Sequence, residues 1–293
     1  MTELGLKDWL SENKTIDVIN VMNGGEISIR SSDIGKFTSK YAEYIDSGKR
    51  DLCYSEFITH DCFKMFYDID IIGETVESNV YLEKMIDILH RETVKYYPGS
   101  PNVNLVAIIC TTQTADVMIK KEKLVDGKIE RTTVPGKKTG FHIIYPNIRV
   151  NVNDAKQIRL TSVDCLIKFV GERESYNTWS KVINDKSYIG GLKMCGSVNP
   201  IVCPCGKKKY NRSIMVNPLY DSSCTICDSE GMCLEERWYT AAYSIDVNGM
   251  RCGNLVGDDM AENMRLTSIR CTEEQTRTVE NILLPTYAVF SWS

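Results

Sequence analysis

Phe66-Tyr67-Asp68-Ile69-Asp70-Ile71-Ile72 places two acidic residues one apart inside an otherwise apolar, aromatic and β-branched run. Such a run predicts a buried strand, on which side chains two apart share a face. Asp68 and Asp70 then stand together, roughly 6.5 Å apart along the backbone at the usual strand rise. Two carboxylates side by side in an apolar setting are costly unless a cation or strong donors neutralise them. The pair asks for a partner, and a divalent metal is the first choice.

On the N-terminal side, residues 1–60 combine a short amphipathic opening, an Asn23-Gly24-Gly25 turn and a strand at Ile27-Ser28-Ile29, which together predict an N-terminal α/β layer. His60 reads as a packed or surface histidine. On the C-terminal side, Ser78 and Asn79 are N-cap candidates ahead of Leu82, Met85, Ile86 and Leu89 at helical spacing. That helix ends near Pro98-Gly99, and His90 is expected at the edge of the core. Residues 103–110 read as a strand, and residues 114–137 as a β-hairpin about Asp126-Gly127. Lys138-Thr139-Gly140-Phe141-His142-Ile143-Ile144-Tyr145-Pro146 is a further strand, closed by its proline. A helix over about 154–170 follows, and Val182-Ile183-Asn184-Asp185 predicts a short strand ending in a third carboxylate. In order, these elements predict an α+β sheet of ferredoxin/RRM-like type, with Asp68, Asp70, His142 and Asp185 on neighbouring strands.

Phosphoryl transfer from a nucleoside triphosphate needs divalent metals held by carboxylates, one activating the attacking hydroxyl and another neutralising the triphosphate. Asp68, Asp70 and Asp185 are the candidate ligands. His142 and Lys138 are candidate donors to the triphosphate oxygens, and Gly140 lets the backbone approach closely. In the hairpin and just after it, Lys120, Lys121, Lys123, Lys128, Arg131, Lys137 and Lys138 outnumber Glu122, Asp126 and Glu130. This excess suits either a phosphate backbone or plain solubility. Each part has a blander reading when taken alone: Asp-x-Asp also serves glycosyltransferases and phosphatases, a strand histidine is often structural, and Asp185 by itself is a turn residue. Gly136-Lys137-Lys138-Thr139 imitates the end of a P-loop. Arg131 stands where its first glycine belongs, and Lys137 is not followed by Ser or Thr, so the chain encodes no ATPase motor.

The 43% hydrophobic and 25% charged content is that of an ordinary globular protein. A net charge of −4 means that a nucleic-acid partner must be held by a local patch. With no membrane-length apolar segment and no signal-peptide pattern, the chain is expected to be soluble and intracellular, in a reducing compartment. Six of the 12 cysteines fall between Cys195 and Cys233, a clustering that favours metal over scattered disulfides. Cys203-Pro-Cys205 and Cys224-Thr-Ile-Cys227, separated by 18 residues (206–223), match delivery of four thiolates to structural Zn²⁺, with Cys233 a substitute for Cys203 or Cys205. Lys207, Lys208, Lys209 and Arg212 form a second basic cluster, suited to a template or to solubility.

Phe-Tyr-Asp-Ile-Asp, then Lys-Thr-Gly-Phe-His-Ile-Ile-Tyr-Pro, then Asp185 with Tyr188-Ile-Gly-Gly-Leu-Lys-Met-Cys-Gly-Ser197, resembles the archaeo-eukaryotic primase superfamily. More narrowly, it looks like the N-terminal primase domain of the primase–helicase proteins of poxviruses and other large nucleo-cytoplasmic DNA viruses. Leu266-Thr-Ser-Ile-Arg270 is similar to the end of that domain. The resemblance implies a primase catalytic core with the N-terminal layer over residues 1–200, a cysteine-rich zinc-binding insertion over 201–237, and the rest of the core over 238–293. It implies Asp68, Asp70 and Asp185 as ligands of Mg²⁺ or Mn²⁺ and His142 as a nucleotide contact. Lys193 stands where the family often has arginine, keeping the charge but losing the planar fork. The expected activity is primer synthesis from NTPs or dNTPs on a single-stranded DNA template, with a helicase module in the same or another chain. The ending Tyr287-Ala-Val-Phe-Ser-Trp-Ser favours a fragment of a larger protein, and a viral chain would work in the host cytoplasm or at a viral replication site. The alternatives are a non-catalytic, zinc-stabilised module binding single-stranded nucleic acid, and a nucleotide-sugar glycosyltransferase, which leaves the Lys-Thr-Gly-Phe-His strand unexplained.

Overall fold

A computed structural model of the 293-residue chain describes residues 5–12, 19–22, 25–49, 52, 54–58, 62–125, 128–200, 234–252 and 259–270. The N-terminal layer comprises α1 (Leu6–Glu12), β1 (Ile19–Met22), β2 (Gly25–Ser28), α2 (Ile34–Asp46) and β3 (Ser55–Glu56). The acidic run follows in β4 (Phe63–Gly73), then α3 (Asn79–Val94), β5 (Ala107–Thr111), β6 (Ala115–Val125), β7 (Lys128–Val150) and α4 (Val152–Val170). After these come α5 (Trp179–Val182), α6 (Ser187–Gly190), β8 (Leu192–Lys193) and β9 (Val198–Pro200). β10 (Leu234–Trp238), β11 (Thr240–Ile245), β12 (Arg251–Cys252) and α7 (Met260–Thr267) complete the described elements.

The main sheet runs β12-β11-β5-β7-β4, with β6 paired to the outer half of β7, and every pairing in it is antiparallel. Ile183 bridges Ile69 on the free side of β4. The order Ile183-β4-β7-β5, with α3 and α4 as the two crossovers, is the ferredoxin-like arrangement that the sequence predicts. A smaller sheet, β2-β1-β3-β8, belongs to the N-terminal layer and reaches Lys193 through β3.

Side-chain alternation on β4 sorts the two faces. Tyr67 points into the helical layer, where its hydroxyl lies 2.7 Å from Thr93 of α3 and 2.9 Å from Ser162 of α4. Ile69, Ile71, Phe141, Ile143 and Tyr145 join this core. Asp68 and Asp70 therefore face away from the two helices. Ser78 caps α3, its hydroxyl accepting the Tyr81 N–H at 3.2 Å, and Asn151 caps α4, its side chain accepting the Asp154 N–H. A second core cluster, built on Trp9, Phe37, Tyr41, Ile45, Tyr54 and Met264, packs the N-terminal layer against α7.

Four sequence expectations change. Pro146 does not close its strand, because β7 runs on to Val150. Between the Phe66↔Ile144 and Lys64↔Arg149 pairs the register shifts, and Pro146 sits in that bulge, where its missing N–H breaks no ladder bond. Residues 103–110 divide into a 3-10 turn over Asn102–Leu105 and the strand β5, which explains polar Asn104 within an apolar run. Residues 182–185 form the end of α5, a single bridge at Ile183 and a turn rather than a strand. The Arg159 guanidinium takes the Ile183 and Ser180 carbonyls, both at 2.7 Å, so those acceptors are used by α4 instead of a ladder. His60, the Asp126-Gly127 turn and the cysteines at 203, 205, 224, 227 and 233 lie outside the described residues. Among the described residues no helix is long and apolar enough to cross a membrane.

His90 is the fourth. It is fully buried rather than at the edge, with its ring parallel to Tyr145 at 5.8 Å between centroids and neither ring nitrogen hydrogen-bonded. Burial, the largest influence, pushes its pKa below the ordinary value. The unfolded chain then binds the proton more readily than the folded one, so stability falls as pH drops below about 6.5 and levels off below the folded-state pKa. Urea midpoints at pH 7.5 and 5.5 check this: His90→Phe, which keeps the stacked ring, is expected to show a shallower loss on acidification than the parent.

Candidate active site

The pairing of β4 with β7 builds the site. Asp68 lies opposite His142, Asp70 opposite Gly140, and Ile72 opposite Lys138, so these side chains share the sheet face away from α3 and α4. Lys138 Nζ reaches Asp70 Oδ2 at 2.8 Å, and His142 Nε2 stands 3.5 Å from Asp68 Oδ1. The turn after α5 closes one side: Asn184 donates its backbone N–H to the Asp68 carbonyl at 3.0 Å and its side-chain amide to Asp68 Oδ2 at 3.3 Å. Asn177 braces the strand beneath, accepting the Ile72 N–H at 2.8 Å and donating to the Asp70 carbonyl at 3.3 Å.

Burial is the largest influence on Asp68 and opposes its charge. The His142 hydrogen bond and charge, the Asn184 amide and the Lys138 charge together outweigh it, and the carboxyl sits below its ordinary pKa. Asp68 is thus held as an anion. Asp70 Oδ1 is buried and has no hydrogen-bond partner. An anion beside an unsatisfied carboxylate oxygen fits a divalent cation, with Lys138 meanwhile supplying the positive side of the Asp70 pair and His142 standing beside Asp68.

Asp185 lies in the turn between α5 and α6, next to Asn184, and its carbonyl accepts the Tyr188 N–H at 3.3 Å. Among the described residues, no three His, Cys, Asp or Glu side chains are gathered to hold a metal. Lys193 is brought to the site through an aromatic ring. Its Nζ is 6.0 Å from the centroid of Tyr239, which stacks on His142 at 3.7 Å with 20° between the planes.

Asn184, Asn177 and Tyr239 were not singled out from the sequence. Asn184 has a signal, as the polar neighbour of Asp185 at the end of a short apolar run. Tyr239 and Asn177 have none, because their roles depend on which strands meet. Gly140 gains a sharper reason: a Cβ there would lie 2.6 Å from the Tyr239 hydroxyl and 3.3 Å from Asp70 Oδ1. Gly140→Ala is expected to push Tyr239 off His142 and weaken nucleoside triphosphate binding about tenfold, a difference of ~1.4 kcal/mol, measurable by equilibrium titration.

An acidic pair on the open face of a ferredoxin-like antiparallel sheet, with basic side chains in register beside it, defines an α+β domain of the archaeo-eukaryotic primase (AEP) class. Residues 17–214 match the family described as the C962R protein N-terminal AEP domain, and the chain belongs to that family. Membership places it among primase-type nucleotidyltransferases, domains that act on nucleic acid with nucleoside triphosphates and divalent metals. A search of curated proteins gives no match.

Proposed function

We propose that the chain is a DNA primase, a primase-polymerase type nucleotidyltransferase that makes short primers on single-stranded DNA from NTPs or dNTPs. The observation that carries this reading is the juxtaposition of the anionic Asp68, the unsatisfied Asp70 oxygen, Lys138 and His142 on one sheet face. Asp68 and Asp70 are the proposed ligands for Mg²⁺ or Mn²⁺, with Asp185 added from the adjoining turn. A divalent ion held there would acidify the primer hydroxyl and neutralise the triphosphate. His142, Lys138 and Lys193 are the proposed phosphate contacts, and Tyr239 keeps the His142 ring in plane.

Beyond Gly73, β6 and the outer half of β7 continue as a two-stranded arm. The strand alternation that places Lys138 on the acidic face also assigns Lys121 and Lys128 to that face. Lys121 is tied to Glu74 and lies over the Tyr176 ring, which braces the base of the arm. A basic extension of the acidic face suits the phosphate backbone of a template. The cysteine spacing supports structural Zn²⁺ as part of the same proposal.

The test is incorporation of labelled ribo- and deoxyribonucleotides on single-stranded DNA with Mg²⁺ or Mn²⁺, with and without a preformed primer. Products without a primer support a primase. Extension only from a primer makes the chain a polymerase, and metal-independent DNA binding without incorporation makes it a non-catalytic binding module.

A further inference from the structure

One cysteine pair lies in the core, apart from the clustered cysteines of the insertion. Cys110 on β5 and Cys195 in the turn after β8 bring their Sγ atoms to 3.7 Å, within thiol hydrogen-bonding distance. Both are buried, Cys110 completely and Cys195 at 6% exposure. We propose that Cys110 and Cys195 are a reversible oxidation site, converted by hydrogen peroxide into a disulfide that joins the central sheet to the segment bearing Lys193.

Both backbones are fixed. Cys110 is held by β7 on one side, opposite His142, and by β11 on the other, opposite Ala241. The Cys195 carbonyl accepts the Tyr41 hydroxyl at 3.0 Å, and the next residue, Gly196, donates its N–H to the Tyr239 carbonyl at 2.8 Å. A disulfide of about 2.05 Å requires the sulfurs to approach by about 1.7 Å from their 3.7 Å separation, a movement on the scale of side-chain rotation. The two thiols are also unequal. The Cys110 contact lowers the Cys195 pKa, burial and the Glu56 charge raise it, and Thr267 with the Ala241 backbone adds to the lowering, leaving it below the ordinary value. Cys110 is pushed well up. Either thiol can open the reaction; the steps are written with Cys195 as the attacking sulfur and Cys110 as the resolving thiol.

In the first step the Cys195 thiolate attacks one peroxide oxygen. An S–O bond forms, the O–O bond breaks, and the departing hydroxide takes a proton to leave as water. Cys110 sulfur then attacks the sulfenic sulfur of Cys195. The S–S bond forms, the S–O bond breaks, and the second oxygen leaves as water with the Cys110 proton. Two thiols and one peroxide give one disulfide and two waters, each sulfur losing one electron. A small dithiol reverses the change by exchange.

The experiment treats the whole chain with equimolar hydrogen peroxide, blocks remaining thiols by alkylation and maps peptides by mass spectrometry, once on folded protein and once in urea. The expected result is a dominant Cys110–Cys195 linked peptide from the folded protein, lost on dithiothreitol treatment and scarce after oxidation in urea. Recovery of both residues as alkylated thiols while other cysteines are oxidised overturns the proposal. So does an equal yield of the link from folded and unfolded chains. The readout is the thiols themselves, so it stands whether or not the chain makes primers.

Discussion

Asp70→Asn is expected to reduce nucleotide incorporation by about 10³-fold or more while leaving thermal stability near that of the parent. The loss has the scale seen when one preorganised charge-stabilising group is removed from an active site. The unchanged stability comes from a different balance. In the free protein, Asp70 Oδ1 is buried without a partner, a situation that costs roughly 1–3 kcal/mol for a polar group and more for a charged one. An amide of the same shape is cheaper to bury than a carboxylate. Against that gain stands the loss of the Lys138 ion pair, whose side chains are 25% and 31% exposed, so that solvent limits it to about 0–1 kcal/mol. Incorporation assays and thermal denaturation on the same preparation separate the two effects. If stability collapses together with activity, Asp70 holds the fold and the metal role fails.

The second large effect is structural. Glu56→Ala is expected to destabilise the chain by about 3–5 kcal/mol, the range for removing one partner of a buried charge pair. Glu56 is 4% exposed on β3; its carboxylate accepts the Ser268 hydroxyl and the Ile269 N–H, both at 2.7 Å, and lies 3.8 Å from Arg270 Nε. Burial already pulls the Arg270 pKa down, with Glu56 as the countering charge. Without Glu56 the buried guanidinium loses that countering carboxylate, the Ser268 hydroxyl and Ile269 N–H lose their acceptor, and the segment after α7 loses its hold on the N-terminal layer. Urea unfolding measures the loss. Glu56→Gln keeps an acceptor but removes the charge, so its midpoint should fall between those of the parent and the alanine variant. Equal midpoints for Glu56→Ala and the parent would show that the latch contributes nothing.

The residues of the site were legible in the sequence to unequal degrees, and the reasons are physical. Asp68 and Asp70 stood out because charge inside an apolar strand is rare and the strand period puts them on one face. His142 and Lys138 were legible as chemistry, from a Lys-Thr-Gly-Phe-His strand. Their registration against the acids was not, since cross-strand register depends on where the bulge at Pro146 falls. The short segment at residues 182–185 had the composition of a strand, but Arg159, distant in sequence, claimed its carbonyls. Tyr239 reaches His142 only because β11 pairs with β5, a contact that no local pattern encodes. His90 looked peripheral because it follows a helical stripe, yet the ring of Tyr145 across the helix–sheet interface encloses it.

β7 is one strand of 23 residues, and the same backbone carries Lys128 near the arm's tip and His142 in the site. From one to the other it spans roughly 45 Å at the usual strand rise. In mechanical terms this is a cantilever clamped between β4 and β5, its outer part paired with β6. It contains no loop to act as a hinge between tip and clamp, so a load on the tip is delivered as torque to the residues at the clamp. Lys137, paired with Gly73 at the edge of the clamp, meets that torque first, one residue before Lys138.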